Sequence, residues 1–287
     1  MDNILELSDV TLSYSKGTPF ERLALDHATC AFKRGRITGL IGHTGSGKSS
    51  LVSLLNGLYR PESGAVILDG KDIWEKPAEI AKVRFKVGLV MQYPEYQLFD
   101  ETVRSDVGFA PRNLGLSAEE IEARVKDAIR FSGLDLSVLD KSPFELSGGQ
   151  KRRVAIAGVI AMQPDVLVLD EPAAGLDPRG RREILGGLRA FAVEQGATVI
   201  LVSHSMEDMA LYCDDVVVMN DGKIHMSGTV EEIFSSSEEL EAVGLDIPMV
   251  AKIALALKKN GINLEGTLYT VDGVRDSILE YIKEGKL

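Results

Sequence analysis

A short run of residues near the start of the chain has the composition of a phosphate-binding loop. Residues 42–49 follow the pattern G-x-x-x-x-G-K-[ST], which ends with Lys48 and Ser49. An apolar run at residues 37–41 precedes the loop and a helix-forming stretch follows it, which is the context that this pattern requires. The glycines let several backbone N–H groups point at one anion. We therefore predict a polyphosphate site, in which Lys48 contacts phosphate oxygens and Ser49 places its hydroxyl on Mg²⁺.

A pair of carboxylates follows the continuous apolar run at residues 166–169. Such a run is typical of a central parallel strand that is buried on both faces. It delivers Asp170 and Glu171 to the carboxyl edge of the sheet, where open α/β sheets bind ligands. We predict that Asp170 completes the Mg²⁺ site with Ser49, and that Glu171 orients or deprotonates an attacking water. The alternative is an acidic turn in solvent.

Two further polar residues end apolar runs, namely Gln92 after residues 87–91 and His204 after residues 198–202. A lone histidine at a strand end is more often structural than catalytic. Parallel strands bring their carboxyl ends to one edge, however, so His204 is expected to share that edge with Gln92 and Asp170. This location favours a functional role.

A second glycine-rich helix start lies at residues 146–150, with a helix predicted from about Gln150 to Met162. The free N–H groups of a helix start attract an anion. The chain thus has two anion-seeking helix starts but only one lysine-bearing loop. Either it binds two ligands, or the second start completes a nucleotide site on another copy.

The composition limits the function. The chain has 287 residues, a 45% hydrophobic content and a net charge of −11, so we expect one large α/β domain with a small appendage and no broad nucleic-acid surface. Cys30 and Cys213 lie far apart and suggest neither a zinc site nor a disulfide framework. No run has the length of a membrane span and the first residues do not form a signal peptide. We expect a soluble protein inside the cell.

The predicted elements form an α/β core with a flanking antiparallel sheet, which includes an alternating strand that ends at Tyr14. Residues from about 100 to 163 show helical patterns and few strand signals, so they are predicted to be an all-helical insertion, with a capping box of Ser117 and Glu120. A hairpin around residues 221–222 precedes a second capping box, of Thr229 and Glu232.

The pattern changes near residue 235. We predict a first domain over residues 1–235 and a small accessory element over 236–287, folded as a helix, a short strand and a helix. Apolar stripes on the two helices, at Ile253 and Leu257 and at Val274 and Ile278, are expected to pack on the main domain or to form part of a subunit interface.

With these motifs in view, residues 4–235 resemble an ATP-binding-cassette ATPase. Residues 146–150 match its signature motif, Gln92 its Q-loop, residues 174–177 its D-loop and His204 its switch histidine. The resemblance implies the fold of that family, with ATP and Mg²⁺ as ligands. It implies a catalytic role for Glu171, His204 and Gln92, and a metal-binding role for Ser49, Gln92 and Asp170.

The resemblance also implies the nucleotide contacts. Two cassettes close head to tail in this family, so the signature motif of one chain faces the γ-phosphate that the other holds. Tyr14 lies where the family has its adenine-stacking aromatic. The implied contact residues are Tyr14, Gly42, His43, Thr44, Gly45, Ser46, Gly47, Lys48, Ser49, Ser50, Ser147, Gly148, Gly149, Gln150 and Asp177.

Finer features are similar to the ATPases of energy-coupling-factor importers, which take up vitamins or metal ions. They are residues 94–99, 142–145 and 204–208, while residues 42–45 and 244–248 resemble the second, A-prime type. The resemblance implies a second ATPase subunit, in a heterodimer in preference to a homodimer. It also implies a transmembrane coupling subunit, a small substrate-binding membrane subunit and a location at the cytoplasmic face of the cell membrane.

Three other functions are alternatives to this interpretation. The first is the ATPase of an importer that depends on a solute-binding protein. The second is a cassette ATPase that acts on DNA or ribosomes, which the acidic charge and the single cassette disfavour. The third is a regulator without turnover, which the presence of Lys48, Glu171 and His204 disfavours.

Residues 94–99 combine Glu95 with an apolar cluster of Tyr96, Leu98 and Phe99. We predict that they form a docking groove for a helix of the membrane subunit, in which Glu95 meets a basic side chain and the aromatic residues line the groove. The alternative is a hydrophobic plug under the helical insertion. The docking hypothesis predicts that Glu95→Lys disturbs assembly or coupling while folding stays near wild type.

Overall fold

The computed structural model describes residues 2–283, whose central feature is a six-stranded sheet. All its strands are parallel except Lys223–Thr229, which pairs antiparallel with its neighbour in a hairpin. In spatial order the strands are Lys223–Thr229 (β10), Asp215–Asn220 (β9), Ile37–Gly42 (β3), Thr198–Val202 (β8), Val166–Asp170 (β7) and Val87–Val90 (β6). Every residue of β3, β7 and β8 is buried, because both faces of the sheet are covered.

An antiparallel sheet flanks this core. In spatial order it contains Arg22–Lys33 (β2), Asn3–Tyr14 (β1), Ser63–Leu68 (β4) and Lys71–Asp72 (β5). The helices are Lys48–Leu55 (α1), Ile80–Lys86 (α2), Val103–Asn113 (α3), Ala118–Phe131 (α4), Gly148–Ile160 (α5), Pro178–Gln195 (α6), Met206–Tyr212 (α7), Val230–Ser235 (α8), Ser237–Ala242 (α9), Met249–Lys259 (α10) and Val271–Lys283 (α11). The predicted fold class, an α/β P-loop core with an antiparallel subdomain, is confirmed.

Two apolar cores lie on opposite faces of the central sheet. Val168 of β7 packs on one side with Leu51 of α1 and Phe32 of β2. Leu167 and Leu169 of β7 pack on the other side with residues of α5 and α6. Alternate residues of one strand thus seal both faces, and the phosphate-binding loop at the end of β3 is held between rigid layers.

The helical insertion contains α3, α4 and α5. Helix α5 begins at Gly148 and ends at Ile160, about one half-turn earlier than predicted. Ser147 is its N-cap, because the Ser147 hydroxyl accepts from the Gln150 N–H and the Gln150 side chain accepts from the Ser147 N–H. Gln150 is therefore in the first turn instead of at its start. The boxes at Ser117 and Thr229 form as predicted.

The C-terminal segment differs from the prediction. It contains α9, α10 and α11, and within residues 236–283 no strand forms. The stretch between α10 and α11 includes Gly261 and Gly266 at positive φ and has no neighbouring strand to pair with, so the predicted short strand is wrong. Val274 is buried and Ile253 is exposed, so the two predicted apolar stripes are not equally covered. The boundary near residue 235 stays a prediction.

Candidate functional site

The loop at residues 43–47 connects β3 to α1 and wraps around the lysine side chain. A Cβ on Gly47 would lie 2.7 Å from the carbonyl oxygen of Ala24, so only glycine fits there at its φ of 105°. Lys48 is 8% exposed. Its Nζ donates to the carbonyl oxygens of Gly42 at 2.7 Å and His43 at 3.0 Å. The ammonium group is thus held inside the curve of the loop, where phosphate oxygens are expected.

Burial lowers the pKa of Lys48, although the charges of Asp170 and Glu171 act in the opposite direction. Desolvation disfavours the ammonium ion, and an anion in the loop would favour it again. A phosphate bound in the loop would therefore stabilise the charged form of Lys48.

A cleft of about 410 Å³ opens beside this loop. Tyr14 lies at its wall, donates from its hydroxyl to Ser50 Oγ at 3.0 Å, and contacts Tyr59 edge to face with ring centroids 5.7 Å apart. The lining residues are Tyr14, Arg22, Leu23, Ala24, Gly45, Gly47, Lys48, Ser49, Ser50, Asp221 and Gly222. No local sequence pattern links Arg22 or Asp221 to the loop, so neither residue was predicted at this site.

The carboxylates lie at the carboxyl edge of β7, next to α1. Ser49 Oγ donates to Asp170 Oδ2 at 3.0 Å, so the structure brings together these two members of the predicted Mg²⁺ site. Gln92 is exposed two residues beyond β6, and within residues 2–283 its side chain has no hydrogen-bond partner. Within residues 2–283, the third predicted metal ligand is therefore not hydrogen-bonded to the other two.

Glu171 has a constrained backbone and a buried carboxylate. Its φ of 54° is uncommon for a non-glycine residue, and its N–H donates to the Val202 carbonyl oxygen at 3.1 Å. Such conformations cost about 1–3 kcal/mol and cluster at active sites. Among residues 2–283, no group hydrogen-bonds the buried Oε1 of Glu171, and His204 Nε2 lies 3.5 Å away. Both residues line a cleft of about 280 Å³.

Burial sets the protonation of this edge. It raises the pKa of Asp170, and it raises the pKa of Glu171 together with the neighbouring charge of Asp170. It lowers the pKa of His204, in which the Lys48 cation assists. Groups with shifted pKa values gathered at one edge of a sheet are typical of a catalytic site.

The donors present fit a magnesium ion. A hydroxyl and a carboxylate oxygen lie side by side at Ser49 and Asp170, and Mg²⁺ is commonly bound through one or two carboxylates together with substrate phosphates. In the described part of the chain, no group of three or more His, Cys, Asp and Glu side chains could hold a metal alone. A metal site here would depend on phosphate oxygens.

The signature residues lie elsewhere on the chain. Ser147, Gly149, Gln150 and Asp177 line a separate cleft of about 420 Å³, which shares no lining residue with the loop cleft. A Cβ on Gly148 would meet nothing within 4 Å. One chain therefore presents its signature motif outward, away from its own phosphate-binding loop.

Glu95 is not free for an external partner, which contradicts part of the docking hypothesis. Its two carboxylate oxygens accept from Arg152 Nε at 3.0 Å and Nη2 at 3.1 Å, and the Arg152 side chain is 6% exposed. Glu95→Lys would place two cations together in a poorly solvated position, so the predicted near-wild-type folding is not expected. Tyr96 and Phe99 are exposed and Leu98 is buried, so only part of the apolar cluster is at the surface.

The chain is similar to known transporter ATPases. Residues 25–174 match the family model described as ABC transporter. The energy-coupling factor transporter ATP-binding protein EcfA2 of Clostridium perfringens is 49% identical over 97% of this chain and 98% of its own length. The protein of that name from Symbiobacterium thermophilum is 52% identical over 90% of each chain.

Two solved structures of ABC transporter ATPases have a similar fold. The structure of cbiO1 from Clostridium perfringens, part of the ABC transporter complex cbiONQ, has a TM-score of 0.76 at 39% identity and covers 91% of this chain and 98% of its own. A dimeric ATP-binding cassette bound to ADP and Pi in a post-hydrolysis state has a TM-score of 0.71 at 27% identity, over 79% of this chain and 98% of its own. The predicted resemblance to an energy-coupling-factor ATPase is confirmed, and the suffix of EcfA2 agrees with the second type.

Proposed function

This chain belongs to the ABC transporter family, as one of its energy-coupling factor ATP-binding proteins, and we propose that its loop cleft and carboxyl edge form one half of a composite hydrolytic site. As a member of that family it binds ATP and hydrolyses it in step with transport. The observation that carries the proposal is the buried carboxylate of Glu171, which lies next to His204 and to the Ser49–Asp170 pair.

The nucleotide lies in the loop cleft under this proposal. Lys48 and the backbone N–H groups of residues 43–47 hold its phosphates, since this helix start is an anion site. Tyr14 lies at the cleft wall with its hydroxyl on Ser50, and its ring is available for stacking on adenine. When bound, Mg²⁺ would be held by Ser49 and Asp170 and would neutralise phosphate charge.

Glu171 is the group that orients the attacking water. Its raised pKa suits a general base, because a base works best with a pKa nearer to the working pH. His204 Nε2 lies 3.5 Å from Glu171 Oε1, and both residues line the same cleft. The ring stays neutral at physiological pH because burial and Lys48 lower its pKa, so it can accept a hydrogen bond.

Glu171→Gln tests this assignment. The amide keeps the shape of the side chain but cannot act as a carboxylate base, so hydrolysis should fall by about 10²-fold or more while the Kd for ATP stays near wild type. The matched comparison is Lys48→Ala, which removes a cation from the phosphate site and should weaken ATP binding itself. Near-wild-type hydrolysis by Glu171→Gln in the assembled complex would remove Glu171 from this role.

The partners are also part of the proposal. We infer a head-to-tail pair with a second ATPase subunit, because the signature cleft and the loop cleft of one chain are separate. The family resemblance favours a heterodimer over a homodimer. The pair would lie at the cytoplasmic face of the membrane with a transmembrane coupling subunit and a small substrate-binding subunit for a vitamin or a metal ion. Among residues 2–283, no helix combines the length and the apolar content that crossing a bilayer requires.

Recovery of integral membrane proteins with the tagged chain, from detergent-solubilised membranes, tests this assembly. Tyr96, which is 85% exposed, and Phe99 are the aromatic side chains that we expect at the contact.

A further inference from the structure

One guanidinium group connects three segments that the proposed function uses separately. Arg152 belongs to α5, five positions after Ser147, and is only 5% exposed. Its Nε and Nη2 bind Glu95 in the segment after Gln92, and its Nη1 donates to the carbonyl oxygen of Ala174. Its Cζ lies 5.9 Å from the centroid of the Tyr93 ring.

The ion pair is suited to transmit displacement. A bidentate pair between a planar guanidinium and a carboxylate restrains both position and orientation. Glu95 lies in the short helical turn Pro94–Gln97, which continues into the exposed Phe99, and the buried Pro94 and Leu98 hold the turn against the core. A shift of this turn must therefore either move Arg152 or break the pair.

Arg152 is also connected to the two halves of the hydrolytic machinery. Through α5, a rigid helix, it is connected to Ser147 at the signature end. Through Ala174 it is connected to Glu171, since the Ala174 N–H donates to the Glu171 carbonyl oxygen at 3.2 Å. Arg152 thus belongs to the helix that carries the signature motif, and its side chain contacts the turn that follows Glu171.

We propose that Arg152 and Glu95 form a positioning pair, which couples the exposed segment 93–99 to the signature helix and to the turn after Glu171. This inference rests on the proposed function, because it takes segment 93–99 as the surface that contacts a membrane subunit. Neither residue touches the nucleotide cleft, so both act through other groups.

Neutral variants of the pair test the proposal in the complete complex. Glu95→Gln leaves a buried guanidinium without its carboxylate, and Glu95→Gln with Arg152→Gln removes both charges. The matched control is Glu183→Gln, which breaks the pair of Glu183 with Arg179 within α6 and its 2.7 Å pair with Arg153, the residue after Arg152. The pair with Arg153 joins α5 to α6 and does not involve segment 93–99.

The readouts are the melting temperature, the ATPase rate and the trypsin-cleavage rate of the copurified membrane subunits with and without ADP–vanadate. We expect Glu95→Gln and the double variant to reduce the nucleotide-dependent change in cleavage by about fivefold or more, which is the usual range of a lost coupling. The control should keep the wild-type change. The double variant should regain melting temperature over Glu95→Gln, because it leaves no unpaired charge.

A purely structural pair predicts a different result. If the nucleotide-dependent change recovers with the melting temperature in the double variant, or is unaffected in both variants, the positioning role is wrong. Failure of the wild-type chain to recover integral membrane proteins overturns the proposed function and the pair's role with it. Normal assembly with unchanged coupling in the variants overturns the pair alone.

Discussion

At the scale of single residues, the candidate site is defined by groups whose charges are unfavourable in isolation. Lys48, Asp170 and Glu171 are partly or fully buried. Burial lowers the pKa of Lys48 and raises the pKa of the two carboxylates, which in each case favours the neutral form. A phosphate with a divalent cation would supply the missing opposite charges. The site is therefore arranged for a ligand more than for the stability of the chain.

His204 allows this electrostatic arrangement to be measured. Its pKa is lowered from 6.5 by burial first and by Lys48 second. We predict an imidazole that titrates below 6.5 in the ligand-free protein, and a pKa that rises in Lys48→Ala because one cation is removed. An NMR titration of the histidine ring signals measures both, and loss of a signal in His204→Gln identifies the resonance.

Lys33→Ala is the control, since Lys33 pairs with Asp215 away from this cleft and its removal should leave the pKa of His204 unchanged. An equal pKa in wild type and Lys48→Ala would contradict the coupling.

The same pKa shift makes the stability of the fold depend on pH. The pKa of this histidine is lower in the folded state than in the unfolded state. It therefore destabilises the fold as the pH falls through the unfolded-state pKa, and this effect is complete below the folded-state pKa.

At the scale of elements, the helical insertion is seated by a close helix contact. A Cβ on Gly187 of α6 would lie 1.9 Å from the carbonyl oxygen of Phe131 at the end of α4. The Phe131 and Phe191 rings meet edge to face beside it, with centroids 5.7 Å apart. The absence of a side chain at Gly187 thus sets how closely α4 and α6 approach.

We predict that Gly187→Ala lowers the free energy of unfolding by about 1–3 kcal/mol, because the added methyl group must displace backbone. Gly186→Ala is the matched control in the same helix. A Cβ there meets nothing within 4 Å, so the change should raise the free energy of unfolding by roughly 0.5–1 kcal/mol. Urea unfolding measures both variants. Similar gains in the two would show that the close contact is not formed in solution.

At the scale of the whole molecule, one chain holds both parts of a nucleotide site but keeps them apart. The loop cleft and the signature cleft have no lining residue in common. A second cassette must supply the missing part if both are to contact one nucleotide. In the described part of the chain, a Cβ at Gly148 at the start of α5 would meet nothing within 4 Å, as such an arrangement requires.

A bulky substitution at Gly148 tests the trans arrangement. Gly148→Leu should leave folding and ATP binding near wild type, because the position is open, but should block closure onto the partner's nucleotide. In a linked pair with a Lys48→Ala cassette, both lesions then fall on one composite site and the other site keeps hydrolysing. Gly186→Leu, at an exposed position outside both clefts, is the control.

The location of the defect decides the outcome. If the linked pair loses hydrolysis at the P-loop of the Gly148→Leu cassette itself, the signature motif acts within its own chain, and the head-to-tail arrangement is contradicted.

The sequence by itself determined the features whose cause is local. The phosphate-binding loop, the buried strand before Asp170 and the capping boxes at Ser117 and Thr229 are specified by residues within a few positions of one another. Hydrogen bonds and periodic burial over such short distances need no knowledge of distant segments. The same local signals carried the resemblance, because its motifs are contiguous.

Only the tertiary structure decided which distant groups meet. Glu95 and Arg152 are 57 positions apart, and nothing near Glu95 in the sequence indicates that its partner lies within the chain instead of on another subunit. The C-terminal strand was predicted from residue types but had no neighbouring strand for backbone hydrogen bonds, so helices and loops formed instead. Long-range pairs depend on how the elements pack, and that packing is a property of the whole chain.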